Sequence, residues 1–251
     1  MTLEIITDTD LAPFRHGFFT RRGGASSGVF EGLNCGYGSS DQHEIVSINR
    51  QRVAESLDLE NAALCGVHQI HSADVVSLSS RTNELHRADA LVTRAKGIGL
   101  SILTADCQPV LFADADNGVI GAAHAGWKGA LAGVLDATVD AMVGIGAQRD
   151  RIRAVVGPSI SQRAYEVGPE FFDLFVSEDD DNARFFAQGE ADRMLFDLPA
   201  YGLHRLRNAG VGSASWTRHC TYSDATRFFS YRRATHNKDA DYGRLISVIR
   251  S

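Results

Sequence analysis

The sequence lacks the features of an exported or membrane-embedded protein. Residues 1–6 show no basic stretch followed by an apolar one, so we expect no signal peptide. No uninterrupted apolar run approaches the roughly 20 residues that a helix needs to cross a bilayer. These absences lead us to expect a soluble, cytoplasmic protein.

Cysteine is scarce, with only Cys35, Cys65, Cys107 and Cys220, and no CxxC pair occurs. Such spacing is typical of reduced thiols, of which one or two at most have a chemical role. We expect Cys35 and Cys65 to be buried apolar thiols. Repeats and a Pro- or Ser-rich linker are also absent, which indicates a single domain over residues 1–251.

An excess of positive charge is missing as well, because the formal net charge is -6 at pH 7. An acidic chain without a long basic run argues against nucleic acid or a membrane surface as the partner. A small anionic ligand stays compatible with this charge, since a few local arginines can bind it. We therefore expect a small-molecule partner.

Apolar periodicity predicts an α+β fold. Helical spacing predicts helices over residues 45–57, 128–143 and 200–209. Strand character is present at residues 90–92, 99–103, 110–113, 119–123, 154–156 and 228–231. The strands cluster in hairpins instead of alternating with helices, which favours α+β over a doubly wound parallel sheet.

One of these hairpins would bring two reactive side chains together. Asn117 and Gly118 form a strong turn signal between two apolar runs. A turn there places Pro109 roughly opposite His124, with Cys107 just beyond the same open end. A thiolate and an imidazole at one hairpin end can serve as metal ligands or as a Cys/His nucleophile pair.

A third ligand could come from His68 or His71, in a segment of extended character. An odd separation in an extended segment sends two side chains to opposite sides, so we expect one of them to reach the site. Three ligands of the His/His/Cys type leave a fourth coordination position open, as in catalytic zinc sites. After His124, a Gly-flanked turn leads into a helix, where Lys128 would favour an anion.

Together these motifs resemble the YfiH-type family. That family has been described as a multicopper polyphenol oxidase (laccase) domain family and as a purine nucleoside phosphorylase family related to laccase domain-containing protein 1. Matching blocks occur in the family's order at residues 20–34, 69–71, 104–110, 123–129, 157–160, 165–168, 220–221, 227–233 and 243–244. Two features depart from the pattern: Lys128 replaces the usual arginine, and the segment 234–242 is longer than the usual turn.

The resemblance implies a layered α/β/β/α fold with mixed β-sheets flanked by helices. It also implies a zinc site, with copper as the other possible metal, in which His71, Cys107 and His124 are the metal ligands and catalytic residues. The implied reactions are phosphorolysis of adenosine, inosine and methylthioadenosine to free base and ribose 1-phosphate, and deamination of adenosine.

Phosphorolysis requires cations that hold phosphate beneath the ribose. The cations in the matching blocks, with one asparagine in a Gly-rich turn, are therefore predicted to bind substrate or phosphate: Arg21, Arg22, Asn34, Lys128, Arg232 and Arg233. Asp106 is a candidate either for proton transfer or for hydrogen bonding behind the metal ligands.

Three other functions stay open on the sequence. Copper-dependent polyphenol oxidation requires several copper sites, yet of nine histidines only His71 and His124 lie in matching blocks. A metal-free hydrolase would use Cys107 as nucleophile and His124 as base. The third is editing of peptidoglycan precursors, a role attributed to some bacterial relatives.

Overall fold

Fourteen strands and six α-helices are defined in the computed structural model, which describes residues 2–60 and 63–251. The strands are β1 (Ile5–Ile6), β2 (Arg15–Phe19), β3 (Leu64–Cys65), β4 (Val75–Leu78), β5 (Ala90–Thr93), β6 (Gly99–Thr104), β7 (Gln108–Asp114), β8 (Val119–Ala125), β9 (Arg153–Val156), β10 (Glu166–Val167), β11 (Phe186–Gln188), β12 (Met194–Phe196), β13 (Ser213–Trp216) and β14 (Leu245–Arg250). The helices are α1 (His43–Ser56), α2 (Trp127–Ala132), α3 (Val134–Gly144), α4 (Pro169–Glu178), α5 (Leu198–Asn208) and α6 (Tyr231–Asn237). Within the described ranges, no helix has both the length and the apolar character that crossing a bilayer requires.

The strands form two large mixed sheets and one small one. The six-stranded sheet has the order β13-β9-β7-β8-β5-β4, with parallel pairs at its two edges and antiparallel pairs between them. The five-stranded sheet has the order β1-β2-β14-β6-β3, in which only the β3–β6 pair is parallel. The third sheet, β10-β12-β11, is short and antiparallel.

Alternating side chains of the six-stranded sheet bury both of its faces. In β7, Val110 and Phe112 belong to a buried cluster that includes residues of α2, α3 and α5. Leu111 and Ala113 belong instead to a cluster shared with the five-stranded sheet. This alternation follows from the two-residue period of a strand, and it places helices on one face and a second sheet on the other.

The five-stranded sheet is covered on its outer face by α1. Ile246 and Val248 of β14 pack in one buried cluster with Val53 and Ala54 of that helix. The opposite face of β14 contributes Ile249 to the buried cluster between the two large sheets. The layers are thus helix, sheet, sheet, helix, which confirms the α+β class and the α/β/β/α order.

Most predicted elements are present, and two predictions are wrong. Residues 128–143 do not form one helix, because Gly133 adopts a left-handed conformation (φ 96°) that separates α2 from α3. The apolar run 228–231 is not a strand. Phe228 and Phe229 belong instead to a small buried cluster, which explains the apolar run. Ser230 is the N-cap of α6 and accepts a hydrogen bond from the Arg233 N–H.

The break at Gly133 gives a stability prediction. Gly133→Ala is expected to lower the free energy of unfolding by about 1–2 kcal/mol, because a Cβ is unfavourable at left-handed φ. The added Cβ would also lie 3.2 Å from Nη2 of Arg205. The matched control is Gly144→Ala at the end of α3, where no atom lies within 4 Å of the new Cβ. Urea denaturation of both variants measures the difference, and equal effects would contradict the assignment.

Candidate metal centre and its cavity

The β7–β8 hairpin brings Cys107 and His124 to the same end of the sheet. Pro109 pairs with His124 in the register, and Cys107 lies two residues before Pro109. The turn is stabilised by Asp114, whose side chain accepts hydrogen bonds from the backbone N–H and the side-chain amide of Asn117. The hairpin register predicted from the turn signal is confirmed.

His71 reaches this pair from the loop between β3 and β4. The ligand atoms of His71, Cys107 and His124 all lie within 4.8 Å of one another. The loop is not extended at His71, which has a left-handed φ of 61°, so the predicted reason for choosing one histidine does not apply. His68 instead forms an isolated bridge with Arg87 and lies outside the cluster.

Asp89, which the sequence did not single out, connects the two histidines. One carboxylate oxygen lies 2.7 Å from Nδ1 of His124. The other accepts hydrogen bonds from the N–H groups of Ile70 and Ser72, on either side of His71, and from the Ser72 hydroxyl. Burial opposes ionisation of Asp89, but these donors outweigh it and lower its pKa to about 2. Asp89 is therefore ionised, and it positions the His124 ring directly and His71 through the backbone on either side of it.

Gly126 has no side chain, and this leaves room for the side chains of Cys107 and His71. A Cβ at this position would lie 2.8 Å from Sγ of Cys107 and 3.0 Å from Cδ2 of His71. Real Cβ contacts of this length are essentially never observed, so the glycine is required by close approach and not by its φ. Any larger residue at position 126 would therefore press on the side chains of Cys107 and His71.

The charges in the cluster favour a thiolate. Burial opposes ionisation of the Cys107 thiol, but His124 and His71 favour it more strongly and lower its pKa. Burial likewise disfavours the charged form of His124, while Cys107 and Asp89 raise its pKa. Since the thiolate is the form that binds a metal, Cys107 is suited to coordination near neutral pH.

The remaining cysteines have other surroundings. Cys35 and Cys65 are buried, as predicted. Burial raises the pKa of Cys35 to about 12, so this thiol stays protonated at neutral pH. Cys220 is partly buried, and its sulfur accepts hydrogen bonds from Ser161 and Ser223.

A cavity of about 400 Å³ opens beside His71 and Cys107. Its volume lies in the range of pockets that bind small molecules. Its wall includes three aromatic side chains, Trp127, Tyr165 and Tyr231. The arrangement combines a possible metal site with flat apolar surfaces that a planar ring can contact.

Two of the predicted phosphate-binding cations line this cavity. The Lys128 ammonium lies 5.4 Å from the centre of the Trp127 ring, and no carboxylate of the described chain is within ion-pair distance of it. The Arg232 guanidinium lies 5.3 Å from the centre of the Tyr165 ring and donates a hydrogen bond to a backbone carbonyl. Both cations are held by the aromatic wall.

The other predicted substrate contacts do not line this cavity. Asn34 is fully buried, and its side chain donates to Ser39 and accepts from the backbone N–H groups of Gly36 and Arg244. Arg22 contacts Glu4 and the loop at residue 226. Arg21 and Arg233 donate to backbone carbonyls. These four residues were predicted because they lie in the matching blocks, and the structure places their polar groups outside this cavity.

Asp106 acts as a hydrogen-bond acceptor. Its two side-chain oxygens accept from the hydroxyls of Thr221 and Ser230 and from the N–H of Arg232. Burial raises the pKa of Asp106 despite these donors. Because both oxygens are engaged, Asp106 anchors the start of α6, which places Tyr231 and Arg232 in the cavity wall.

Comparison with known proteins identifies the chain's relatives. The family described as multi-copper polyphenol oxidoreductase laccase matches residues 15–251. A protein of Pseudomonas aeruginosa named purine nucleoside phosphorylase is 36% identical over 92% of this chain and 90% of its own length. A Deinococcus radiodurans protein of the same name is 39% identical over 93% of this chain and 88% of its own length.

Solved structures show the same fold. Neisseria meningitidis protein NMB0706 aligns with a TM-score of 0.89 and 34% identity, over 100% of this chain and 99% of its own. YlmD from Geobacillus stearothermophilus aligns with a TM-score of 0.89 and 27% identity, over 97% of this chain and 93% of its own.

Asp89→Asn tests the positioning role of the carboxylate. In Asp89→Asn, an NH₂ group replaces one of the two carboxylate oxygens. Either His124 or the N–H groups of Ile70 and Ser72 then lose their hydrogen-bond acceptor. We expect zinc affinity to fall by about 10- to 100-fold. Asp74→Asn is the matched control, because the Asp74 carboxylate is exposed in the same loop. Competition with a chelator at fixed pH measures the affinity, and unchanged binding by the Asp89 variant would refute the role.

Proposed function

This chain belongs to the multi-copper polyphenol oxidoreductase laccase family, and we propose that it is a purine nucleoside phosphorylase. Adenosine, inosine and methylthioadenosine are its proposed substrates, and deamination of adenosine is a proposed second activity. The observation that carries the proposal is the cavity, which places His71 and Cys107 beside two cations and three aromatic rings. The names of the relatives give the reaction class.

We propose zinc as the metal, held by His71, Cys107 and His124. The donor set of two imidazoles and one thiolate suits zinc, and the space left by Gly126 and the carboxylate of Asp89 fit a site of this kind. When bound, a zinc ion in such a site polarises substrate oxygen atoms and lowers the pKa of bound water to about 7. Hydrolytic deamination needs a nucleophile of that kind.

The chain's own residues supply the binding surfaces for phosphorolysis. In this reaction the bond between ribose C1′ and the base nitrogen breaks, a phosphate oxygen bonds to C1′, and the base departs with the electron pair and takes up a proton. We propose that Lys128 and Arg232, which line the cavity, hold the phosphate dianion. Trp127, Tyr165 and Tyr231 offer ring faces to the purine.

Polyphenol oxidation, which the family's description names, has less support. Among the residues that the structure describes, His71, Cys107 and His124 form the one group of three or more side chains that could hold a metal. Multicopper oxidation requires several copper centres with distinct ligand sets. Phenol oxidation measured on copper-loaded protein would revive this alternative.

The cellular setting of the activity is also part of the proposal. We propose a cytoplasmic enzyme that acts on small molecules, in line with its acidic charge and unpaired cysteines.

The alternative of a metal-free hydrolase that uses Cys107 and His124 leads to a different expectation. A chelator would then raise the activity, because bound metal would block the thiolate.

Chromatography of purified protein incubated with adenosine tests the reaction class. With phosphate present, we expect adenine together with ribose 1-phosphate. The amount of ribose 1-phosphate should equal that of total free base, adenine plus any hypoxanthine formed through inosine, since each bond cleavage consumes one phosphate. Inosine formed without phosphate would support the deaminase activity. Unchanged adenosine under both conditions, with zinc bound, would overturn the proposal.

Lys128→Gln tests the phosphate contact. Removing the ammonium is expected to raise the KM for phosphate about tenfold, as the loss of one charge-assisted hydrogen bond implies. Lys128→Arg keeps the charge and is expected to retain most of the affinity. Lys96→Gln, at an exposed site outside the cavity, controls for the change in net charge. Initial rates at varied phosphate measure all three, and an equal KM for Lys128→Gln and the wild type would exclude the contact.

A further inference from the structure

A second cavity, of about 370 Å³, lies on the opposite side of α6 from the first. Tyr231 and Arg232 face the first cavity, whereas Arg233 and Asn237 line the second. Helical geometry places these two pairs of positions on opposite faces of the helix, since successive residues are about 100° apart. The lining residues of the two cavities do not overlap.

Two arginines without carboxylate partners line the second cavity. Arg21 and Arg233 both contribute to its wall, and no carboxylate in residues 2–60 or 63–251 lies within 4.0 Å of either guanidinium. Burial, and then repulsion from Arg233, lower the pKa of Arg21. Two neighbouring guanidinium groups in one cavity create a local positive potential that favours an anion.

The two guanidinium groups are held rigidly and still have donors to offer. Arg21 donates to the carbonyls of Glu31 and Ala225 and lies 4.3 Å from the centre of the Phe229 ring. Arg233 donates through its Nη atoms to three backbone carbonyls, while its Nε has no acceptor in the described part of the chain. Fixed donors of this kind lose little entropy when an anion binds.

The rest of the wall is compatible with an anion. Asn237 adds an amide, and Tyr242 an aromatic ring. Two acidic residues also line the cavity. Asp241 already accepts hydrogen bonds from Ser40 and from Arg244, and Asp239 is exposed to solvent. The charges of Asp241 and Asp239 are therefore compensated or screened. Neither arginine forms an ion pair within 4.0 Å in the described ranges, and the carboxylates that act on them, Glu31 on Arg21 and Asp106 and Asp224 on Arg233, do so from longer range.

We propose that this second cavity binds a phosphate group between Arg21 and Arg233, either inorganic phosphate or the phosphate of a small phosphorylated metabolite. Guanidinium groups bind phosphate in a bidentate manner, and a tetrahedral anion has enough oxygens to engage two of them. The site is separate from the phosphate contact proposed at Lys128 and would exist whether or not the chain catalyses phosphorolysis.

Val29 gives a test that leaves both arginines in place. Its side chain lines the cavity and is 45% exposed, so a larger polar residue can be accepted there without disturbing the core. Val29→Glu introduces a carboxylate that competes for the guanidinium groups. Val29→Gln has nearly the same shape without the charge, and Ile48→Glu adds the same charge at an exposed position that does not line the cavity.

Calorimetric titration of the zinc-loaded protein with inorganic phosphate, and separately with ribose 5-phosphate, measures the binding. We expect Val29→Glu to weaken binding at this site about tenfold or more, while Val29→Gln and Ile48→Glu bind as the wild type does. Tighter binding of ribose 5-phosphate than of phosphate would identify a phosphorylated metabolite as the ligand, and the reverse order would identify free phosphate.

Two results would overturn the proposal. One is saturable binding that Lys128→Gln removes completely and Val29→Glu leaves unchanged, since the only phosphate site would then be the first cavity. The other is the absence of saturable binding of both probes to the wild type. This test does not depend on catalysis. If the wild type has no phosphorylase activity but binds phosphate, and Val29→Glu weakens that binding, the second cavity is still a phosphate site and only the proposed function is wrong.

Discussion

One buried carboxylate, that of Asp89, connects the two candidate histidine ligands of the metal site. Its two oxygens accept from His124 on the six-stranded sheet and from both backbone N–H groups that flank His71. A buried carboxylate is unfavourable unless it is paired and hydrogen-bonded, so the side chain is stable only while these donors stay in place. The left-handed backbone at His71 is therefore maintained by the same contacts that orient His124.

A second carboxylate, next in sequence to a metal-ligand candidate, organises the opposite wall. Asp106 has a left-handed φ of 89° and receives hydrogen bonds from the start of α6, while Cys107 turns toward the histidines. Two consecutive residues thus connect the metal cluster to the helix that carries Tyr231 and Arg232. The same helix separates the two cavities, so its position affects the shape of both.

The local part of this arrangement could be predicted from the sequence, and the nonlocal part could not. The Asn117 turn signal sets the hairpin register, which brings Cys107 and His124 together without tertiary information. Asp89 gave no signal of its own, because it lies beside a strand and becomes informative only once His124 needs a hydrogen-bond partner. The family resemblance led to His71, whereas the argument from an extended backbone was wrong there.

Charge type alone did not indicate which of the predicted residues line the first cavity. Lys128 and Arg232 line the cavity, but Arg22 and Asn34 hold loops through hydrogen bonds that no short sequence pattern reveals. The fold class was predictable because the apolar strands cluster in hairpins and α1 has helical spacing, while the break at Gly133 depends on a single residue.

Convergence of three distant side chains on one ion is the central claim, and anomalous diffraction at the zinc absorption edge tests it most directly. Crystals of the zinc-loaded protein are expected to show one strong anomalous peak, bonded to His71, Cys107 and His124. A peak bonded to other side chains, or none at this cluster in protein shown to contain zinc, would contradict the claim.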